Sequence, residues 1–427
     1  MFNNVNEMIQ FIQNLKRNEH KKDLSYMQKL VAVFNNPHQS LPFIHIGGTN
    51  GKGSVIAILR SIFLESKLHV GTFTSPYVVC FNERITYDGN DISDDELLYY
   101  GTIIIERFDD ILATVNRLPS FFEFLTLLSL LYFKDKKDLD VVLFEVGIGG
   151  LLDCTNIIDP LISAVTNVSY DHMAMLGHTL EAIWDNKLGI AKRNRVFITH
   201  ENDAFKTQIE QSILEKEALL KWVVSRDICN ILVEQTHTKF DYKTLKALTV
   251  CLVGYHQAYN ASLAIEIIEN LKSHFTISED MIRKGLKKAY WPGRMEIVNA
   301  NPLILLDGAH NVGSIEALVD SIHILKNANK VRIIFAVSAD KDKQGMISKL
   351  DRVADELVFT HFSYERSEDE RKLIFLSNHN QKKQFDDLND IFDYIFSFNT
   401  FMNVFCGSLY FVSEVREILK SYSKNTS

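Results

Sequence analysis

The chain has 427 residues, more than one hydrophobic core usually serves, so two domains are expected. Hydrophobic residues at 46% and charged residues at 23% give the balance of a globular protein, and a formal charge of −8 argues against nucleic acid or an anionic membrane as main partner. Five scattered cysteines (Cys80, Cys154, Cys229, Cys251, Cys406), with no CxxC pair, give no zinc or disulfide framework and suit a reducing compartment.

The opening MFNNVNEMIQ has no basic-then-apolar leader, and no apolar run reaches the ~18 residues of a membrane span, so a cytoplasmic location is expected. Residues 1–40 read as helical, with Met8, Phe11, Ile12 and Leu15 on one face. Residues 41–46 read as a strand, which feeds Gly47-Gly48-Thr49-Asn50-Gly51-Lys52-Gly53-Ser54. A helix is expected over 54–65 and a second strand over 69–73, the βαβ unit that a phosphate loop needs. The alternation continues with a helix at 121–132, strands at 141–146 and 161–166, and a helix at 179–191. Residues 195–250 carry weak, mixed patterns. A helix over 257–271 has small residues at Ala258, Ala261 and Ala264, which predicts close packing. Trp291-Pro292-Gly293-Arg294 interrupts the pattern, and the βα rhythm then restarts: strands at 303–306, 332–337, 356–360 and 403–406, with helices ending at 325, near 344 and from 410.

The expected fold is therefore α/β in two domains. Residues 1–291 form a P-loop ATPase-like domain, a mostly parallel sheet flanked by helices; 292–295 are a linker; 296–427 form a smaller Rossmann-like α/β domain. A glycine-rich turn between strand and helix points backbone NH groups into one concavity, with the positive helix end behind it. Lys52 adds a charge for the outer phosphates, and Thr49 or Ser54 offers a hydroxyl to phosphate or metal. Gly53 separates Lys52 from Ser54, whereas kinases and GTPases of the ordinary P-loop type place Ser or Thr directly after Lys. A turn serving only close helix–strand packing is the bland alternative.

GTNGKGS resembles the ATP loop of the Mur-ligase superfamily, and the chain from about 43 to 411 is similar to one branch, the folylpolyglutamate synthase/dihydrofolate synthase family. The resemblance is carried by Thr74-Ser75-Pro76-Tyr77, Phe81-Asn82-Glu83-Arg84-Ile85, Phe122-Glu123, Glu145-Val146-Gly147-Ile148-Gly149-Gly150, Leu152-Asp153 and Thr155-Asn156. It continues through Asp171-His172, Leu176-Gly177, Lys187, Gly189-Ile190, Gly254, His256-Gln257 and Asn260. Pro292-Gly293-Arg294, Asp307-Gly308-Ala309-His310-Asn311, Asp340-Lys341-Asp342 and Gly407-Ser408 complete it. It implies an ATP- and Mg²⁺-dependent ligase that activates a folate or dihydropteroate carboxylate as an acyl phosphate and joins it to L-glutamate. A monomer is the default expectation, and the charge balance speaks against nucleic-acid or membrane partners.

The same resemblance implies residue roles. Thr49, Asn50, Gly51, Lys52, Gly53, Ser54, Asn260, Arg294 and Asp307 match nucleotide contacts. Ser75, Glu145 and His172 match magnesium ligands, against plain readings of a salt-bridged strand end and a core histidine. Lys187 matches a lysine that becomes a metal-binding carbamate, against an ordinary helix lysine. His310 is expected to position the acyl phosphate or the incoming glutamate. Phe121, Phe122, Glu123, Leu152, Asp153 and Cys154 match the pterin-bearing substrate's segments, although an aromatic pair opening an apolar helix also suits a core. The chain departs from the family at Leu151, Cys154, Ser169, Asn186 and Val312, and around 23–27, mostly where the pterin and glutamate ends bind. A related ligase with another acid, and a nucleotide-binding paralogue without ligase activity, are the alternatives.

Overall fold

The computed structural model describes residues 2, 4–16, 23–326, 329–364, 366–397 and 400–425, with side chains described up to 420. It divides into two compact units, Met1–Asp227 with Asn260–Ala289, and Ile228–Tyr259 with Tyr290–Ser427. The helical reading of 1–40 corresponds to helices Val5–Asn14 and Ser25–Val33 and a 3-10 turn Pro37–Ser40; its residues 17–22 lie outside the described residues.

The first unit is built on eight strands: β1 (Phe43–Gly47), β2 (Val70–Phe73), β3 (Ile85–Tyr87), β4 (Asn90–Asp91), β5 (Val141–Glu145), β6 (Ile162–Val165), β7 (Val196–His200) and β8 (Leu219–Val223). Their order is β4-β3-β2-β5-β1-β6-β7-β8, parallel except for the antiparallel β3 and β4 at one edge. Every residue of β1, β2, β5 and β6 is buried, which is why these strands read as mainly apolar runs, broken only by buried His45, Thr72, Glu145 and Ser163, rather than as alternations. Helix Phe121–Lys134 brings Phe124, Leu127 and Leu128 into one core cluster with Phe43, Phe73 and Phe144. Another cluster joins Val146 and Val165 to Trp184 and Leu188 of helix Leu180–Leu188. Gly285 of helix Glu279–Lys288 lies so close to helix Lys52–Glu65 that a Cβ there would meet Ile62 Cα at 2.5 Å. Helix Asp94–Glu106, started by a Ser93/Glu96 capping box, occupies a stretch where the sequence reading placed no element.

Residues 195–250 contain β7, helix Lys206–Glu215 and β8 in the first unit. They also contain an antiparallel sheet of the second unit, β9 (Ile228–Val233), β10 (Thr238–Tyr242) and β11 (Leu245–Val250), ordered β11-β10-β9. Register shifts on both sides of β10 break the period of two, which accounts for the weak pattern. The second unit's main sheet has β12 (Glu296–Ala300), β13 (Leu303–Leu306), β14 (Lys330–Phe335), β15 (Glu356–Phe359), β16 (Lys382–Gln384) and β17 (Phe401–Cys406). The order is β12-β13-β17-β14-β15-β16, with only β12 antiparallel. Buried Arg332 in β14 is matched by Glu356 and by Asn403 Oδ1 at 3.0 Å. Among the described residues no helix is long and apolar enough to cross a membrane.

Candidate active site

The phosphate loop joins β1 to helix Lys52–Glu65 at the carboxyl ends of the parallel strands, where open α/β sheets form their sites. Gly48 has φ +139°, and a Cβ there would lie 1.9 Å from Thr166 Oγ1. Gly51, the helix N-cap at φ +88°, would meet Asn260 Oδ1 at 2.5 Å. Both are positions only glycine fills without strain. The loop is tied to the segment after β6: Thr49 N donates to Asn167 O (2.9 Å), Asn50 N to Asn167 Oδ1 (3.0 Å), and Thr166 Oγ1 to Asn50 O (2.6 Å). Ser169 N donates to Thr49 Oγ1 at 3.1 Å, so the serine at a family-departing position still braces the loop through its backbone. Lys52 Nζ donates to Gly48 O and Thr49 O (3.1 and 3.3 Å), which holds its charge inside the curl.

Three of the expected residues come together around the Glu145 carboxylate, Lys52 through its side chain and Ser75 through its backbone N–H. Glu145 ends β5 beside Ile46 and is buried. Its Oε2 accepts from Ser75 N at 2.9 Å, and its Oε1 lies 3.9 Å from Lys52 Nζ. Thus Lys52, Ser75 and Glu145, from three sequence-distant segments, form one constellation. His172, at φ +49°, is the N-cap of the short helix Met173–Leu176, and its backbone N donates to Asp171 Oδ1 at 2.9 Å. Among the described residues no three His, Cys, Asp or Glu side chains gather at metal-binding distances, and the expected set contains only two of those types. Lys187 is buried at the end of helix Leu180–Leu188, and burial lowers its pKa to about 7; Lys52 adds to the fall, while Asp171 and Asp153 oppose it. An amine that is half neutral near pH 7 meets the chemical requirement for carbamate formation.

The segment after Glu145 is packed from two sides. A Cβ on Gly147 would meet the Phe122 ring at 2.5 Å and Asp153 Oδ2 at 3.1 Å, and one on Gly149 would meet Asn186 Oδ1 at 2.5 Å. Asp153 accepts from Ile148 N and Thr155 N, and caps the 3-10 turn Cys154–Ile157. Cys154 is fully buried with Sγ 3.2 Å from Thr126 Oγ1, while Leu152 is half-buried. Phe122 stacks on Phe73 at 5.6 Å, and Arg84 lies over the Phe121 ring at 5.4 Å. Glu123 is buried and committed: it binds Arg117 through both oxygens at 2.9 Å and accepts from Ser120 N and Oγ. Its pKa falls although burial pushes it up, because Arg117 and Ser120 outweigh burial. Tyr26, whose ring carries the Arg117 guanidinium at 3.2 Å, joins this group. It lies in the 23–27 segment where the family pattern was not legible, and only the 91-residue separation between partners hid it.

In the second unit, Asp307 directly follows β13, and its two oxygens accept from Met295 N (2.9 Å) and Ala309 N (2.8 Å), fixing the turn that bears Arg294. Burial raises the Asp307 pKa against the pull of Arg294. Arg294 Nη1 lies 2.5 Å from where a Gly308 Cβ would stand, so glycine keeps room for it. His256, which the sequence reading did not count as a site residue, is lowered to about 4 by burial and by Arg294. His310 Nδ1 donates to Gly308 O at 2.7 Å, which anchors the ring to its own turn. Asn260, by contrast, belongs to the first unit, against Gly51.

Comparison with known proteins agrees with this geometry. The Mur ligase middle domain family matches residues 46–268, and the Mur ligase glutamate ligase domain matches 293–399. A dihydrofolate synthase/folylpolyglutamate synthase of Bacillus subtilis is 34% identical over 94% of this chain and 95% of that protein. The crystal structure of a folylpolyglutamate synthase from Thermotoga maritima superposes with TM-score 0.84 at 28% identity, covering 98% of this chain and 97% of that one. E. coli FolC in complex with DHPP and ADP superposes with TM-score 0.86 at 27% identity, over 98% of each chain. A phosphate loop with an interposed glycine, a buried strand-end glutamate beside its lysine, and family matches along both units place the chain in the dihydrofolate synthase/folylpolyglutamate synthase family of Mur ligases.

Proposed function

We propose that this enzyme uses ATP and Mg²⁺ to convert a folate or dihydropteroate carboxylate to an acyl phosphate, which the amino group of L-glutamate attacks. The observation that carries the reading is the Lys52–Glu145–Ser75 constellation at the mouth of the phosphate loop. The loop NH groups and Lys52 hold the polyphosphate, and Thr49, Asn50, Gly53, Ser54 and Asn260 line it. The acid's carboxylate oxygen takes the terminal phosphoryl group and ADP leaves. The amine then attacks the carbonyl carbon, and the tetrahedral intermediate expels phosphate and a proton.

A buried carboxylate with an adjacent serine suits a hard cation, so Glu145, Ser75 and His172 would hold Mg²⁺, with carbamylated Lys187 as a further carboxylate. The bound ion supplies charge neutralisation at the transferring phosphoryl group. His310, its ring anchored through Nδ1 to Gly308 O, positions the acyl phosphate or the incoming glutamate, and Arg294 with Asp307 serves the nucleotide. Phe121 and Phe122 contact the acid, with Leu152, Asp153 and Cys154 shaping the neighbouring wall. Glu123 supports that wall through Arg117 and Ser120.

In domain terms, 1–291 form the ATP-binding part and 296–427 the glutamate-ligase part, with 292–295 between them; the family matches at 46–268 and 293–399 support a boundary there, although the insertion Ile228–Tyr259 packs with the second unit. The enzyme is a cytoplasmic monomer whose partners are these small molecules. The test is to offer purified protein dihydropteroate, tetrahydrofolate and unrelated carboxylates with glutamate and ATP. Turnover of a pterin acid is expected; turnover of an unrelated acid alone overturns the assignment.

A further inference from the structure

The fully buried His45 lies in β1, two residues before the phosphate loop's first glycine, and no role in the reaction falls to it. Its Nε2 is 2.8 Å from Thr155 Oγ1, and Thr155 Oγ1 donates to Asp153 Oδ1 at 2.6 Å. A carboxylate only accepts, so the single hydroxyl proton of Thr155 is spent on Asp153. Thr155 must therefore accept from His45, which fixes His45 as the Nε2–H tautomer. The other oxygen of Asp153 accepts from Ile148 N at 3.0 Å and packs against Gly147, the second residue after Glu145. One chain of hydrogen bonds thus runs from the strand of the phosphate loop to the turn after the metal-site glutamate. All four residues belong to the first unit.

We infer that His45 is a positioning residue: through Thr155 it locks Asp153, and with it the 147–153 turn, in the conformation that receives the acid substrate. The inference rests on the acid-binding role proposed above for 152–154. Burial sharpens the link: it pulls the His45 pKa down to about 3 and so favours the neutral ring, whose Nε2–H donates to Thr155 and gives the chain one direction. His45 Nδ1 has no hydrogen-bond partner among the described residues, so the imidazole is held on its Nε2 side, by Thr155.

Glutamine places an NH₂ where histidine has Nε2, whereas asparagine reaches only as far as Nδ1. The test therefore uses H45Q, H45N, T155V and T155S, read by steady-state kinetics and by hydrogen exchange of the 147–153 peptide. H45N and T155V should each raise KM for the acid on the order of tenfold, leave the Kd for ATP within about twofold, and speed exchange of 147–153 but not of 47–54. H45Q and T155S should restore both readouts, and H45N/T155V should be no worse than either single change. Equal damage from H45Q and H45N, loss of ATP affinity in parallel, or unchanged exchange in T155V would overturn the inference. Exchange reads the turn even if no pterin acid is turned over, so failure of the proposed activity and failure of the His45 link are told apart.

Discussion

Lys187 makes a prediction in which stability and activity move in opposite directions. Its pKa falls from 10.5 to about 7, chiefly because burial penalises the ammonium. Each tenfold change in proton affinity is about 1.4 kcal/mol, so the fall corresponds to roughly 4–5 kcal/mol of unfavourable burial when the lysine is charged. The sign follows from proton counting. Above pH 10.5 the amine is neutral folded and unfolded, and the penalty is absent; between 10.5 and 7 the unfolded chain binds more protons, so stability drops as pH falls; below 7 the penalty is complete. Lys187→Met keeps the length of the side chain and removes the charge. In CO₂-free buffer without Mg²⁺, urea unfolding should show the variant more stable than wild type by about 4 kcal/mol at pH 7, with the gain shrinking towards zero by pH 10.5. The same variant should lose ligation. A variant less stable than wild type at pH 7, or a gain independent of pH, would refute the reasoning.

Other substitutions follow from the same geometry. Lys52→Ala removes the charge held inside the loop and should lower kcat by about a thousandfold or more while the fold persists, checked by ADP release and circular dichroism. Gly48→Ala drives a methyl into Thr166 Oγ1 at a backbone angle that disfavours side chains, so the Thr166–Asn50 bond breaks and KM for ATP should rise roughly tenfold or more. Glu123→Gln weakens a buried ion pair and should cost about 2 kcal/mol at neutral pH by denaturant titration. Because the folded Glu123 pKa lies below the ordinary 4.5, its contribution is present above that pH and lost as pH falls through the lowered value, so variant and wild type should converge in acid.

The parts of the site that are contiguous in sequence were legible there. Strand, loop and helix from 43 to 65 announce themselves because the glycines, Lys52 and the flanking apolar runs are neighbours along the chain. Glu145 and Ser75 were identified by resemblance, and their meeting depends on the β2–β5 pairing, which puts both strand ends side by side. The Tyr26–Arg117–Glu123 group escaped because no local period marks a contact between helix Ser25–Val33 and the approach to helix Phe121–Lys134. His45 looked like one residue of an apolar strand, and its link to Thr155 spans 110 positions. The hairpins at 228–250 were hidden by shifted register, and their place in the second unit carries no sequence signature. Asp307 shows a further limit: resemblance marked the residue, while the structure reveals that both its oxygens bind backbone NH groups.

The central claim is that the loop's phosphate chemistry activates a carboxylate. Its most direct test is oxygen-18 transfer, with a pterin acid labelled in the reacting carboxylate and incubated with ATP, Mg²⁺, L-glutamate and the purified enzyme. One labelled oxygen should appear in the released inorganic phosphate for every glutamate joined, because the acyl phosphate carries that oxygen away. Glutamate joined with unlabelled phosphate, or phosphate released with no glutamate joined, would contradict it.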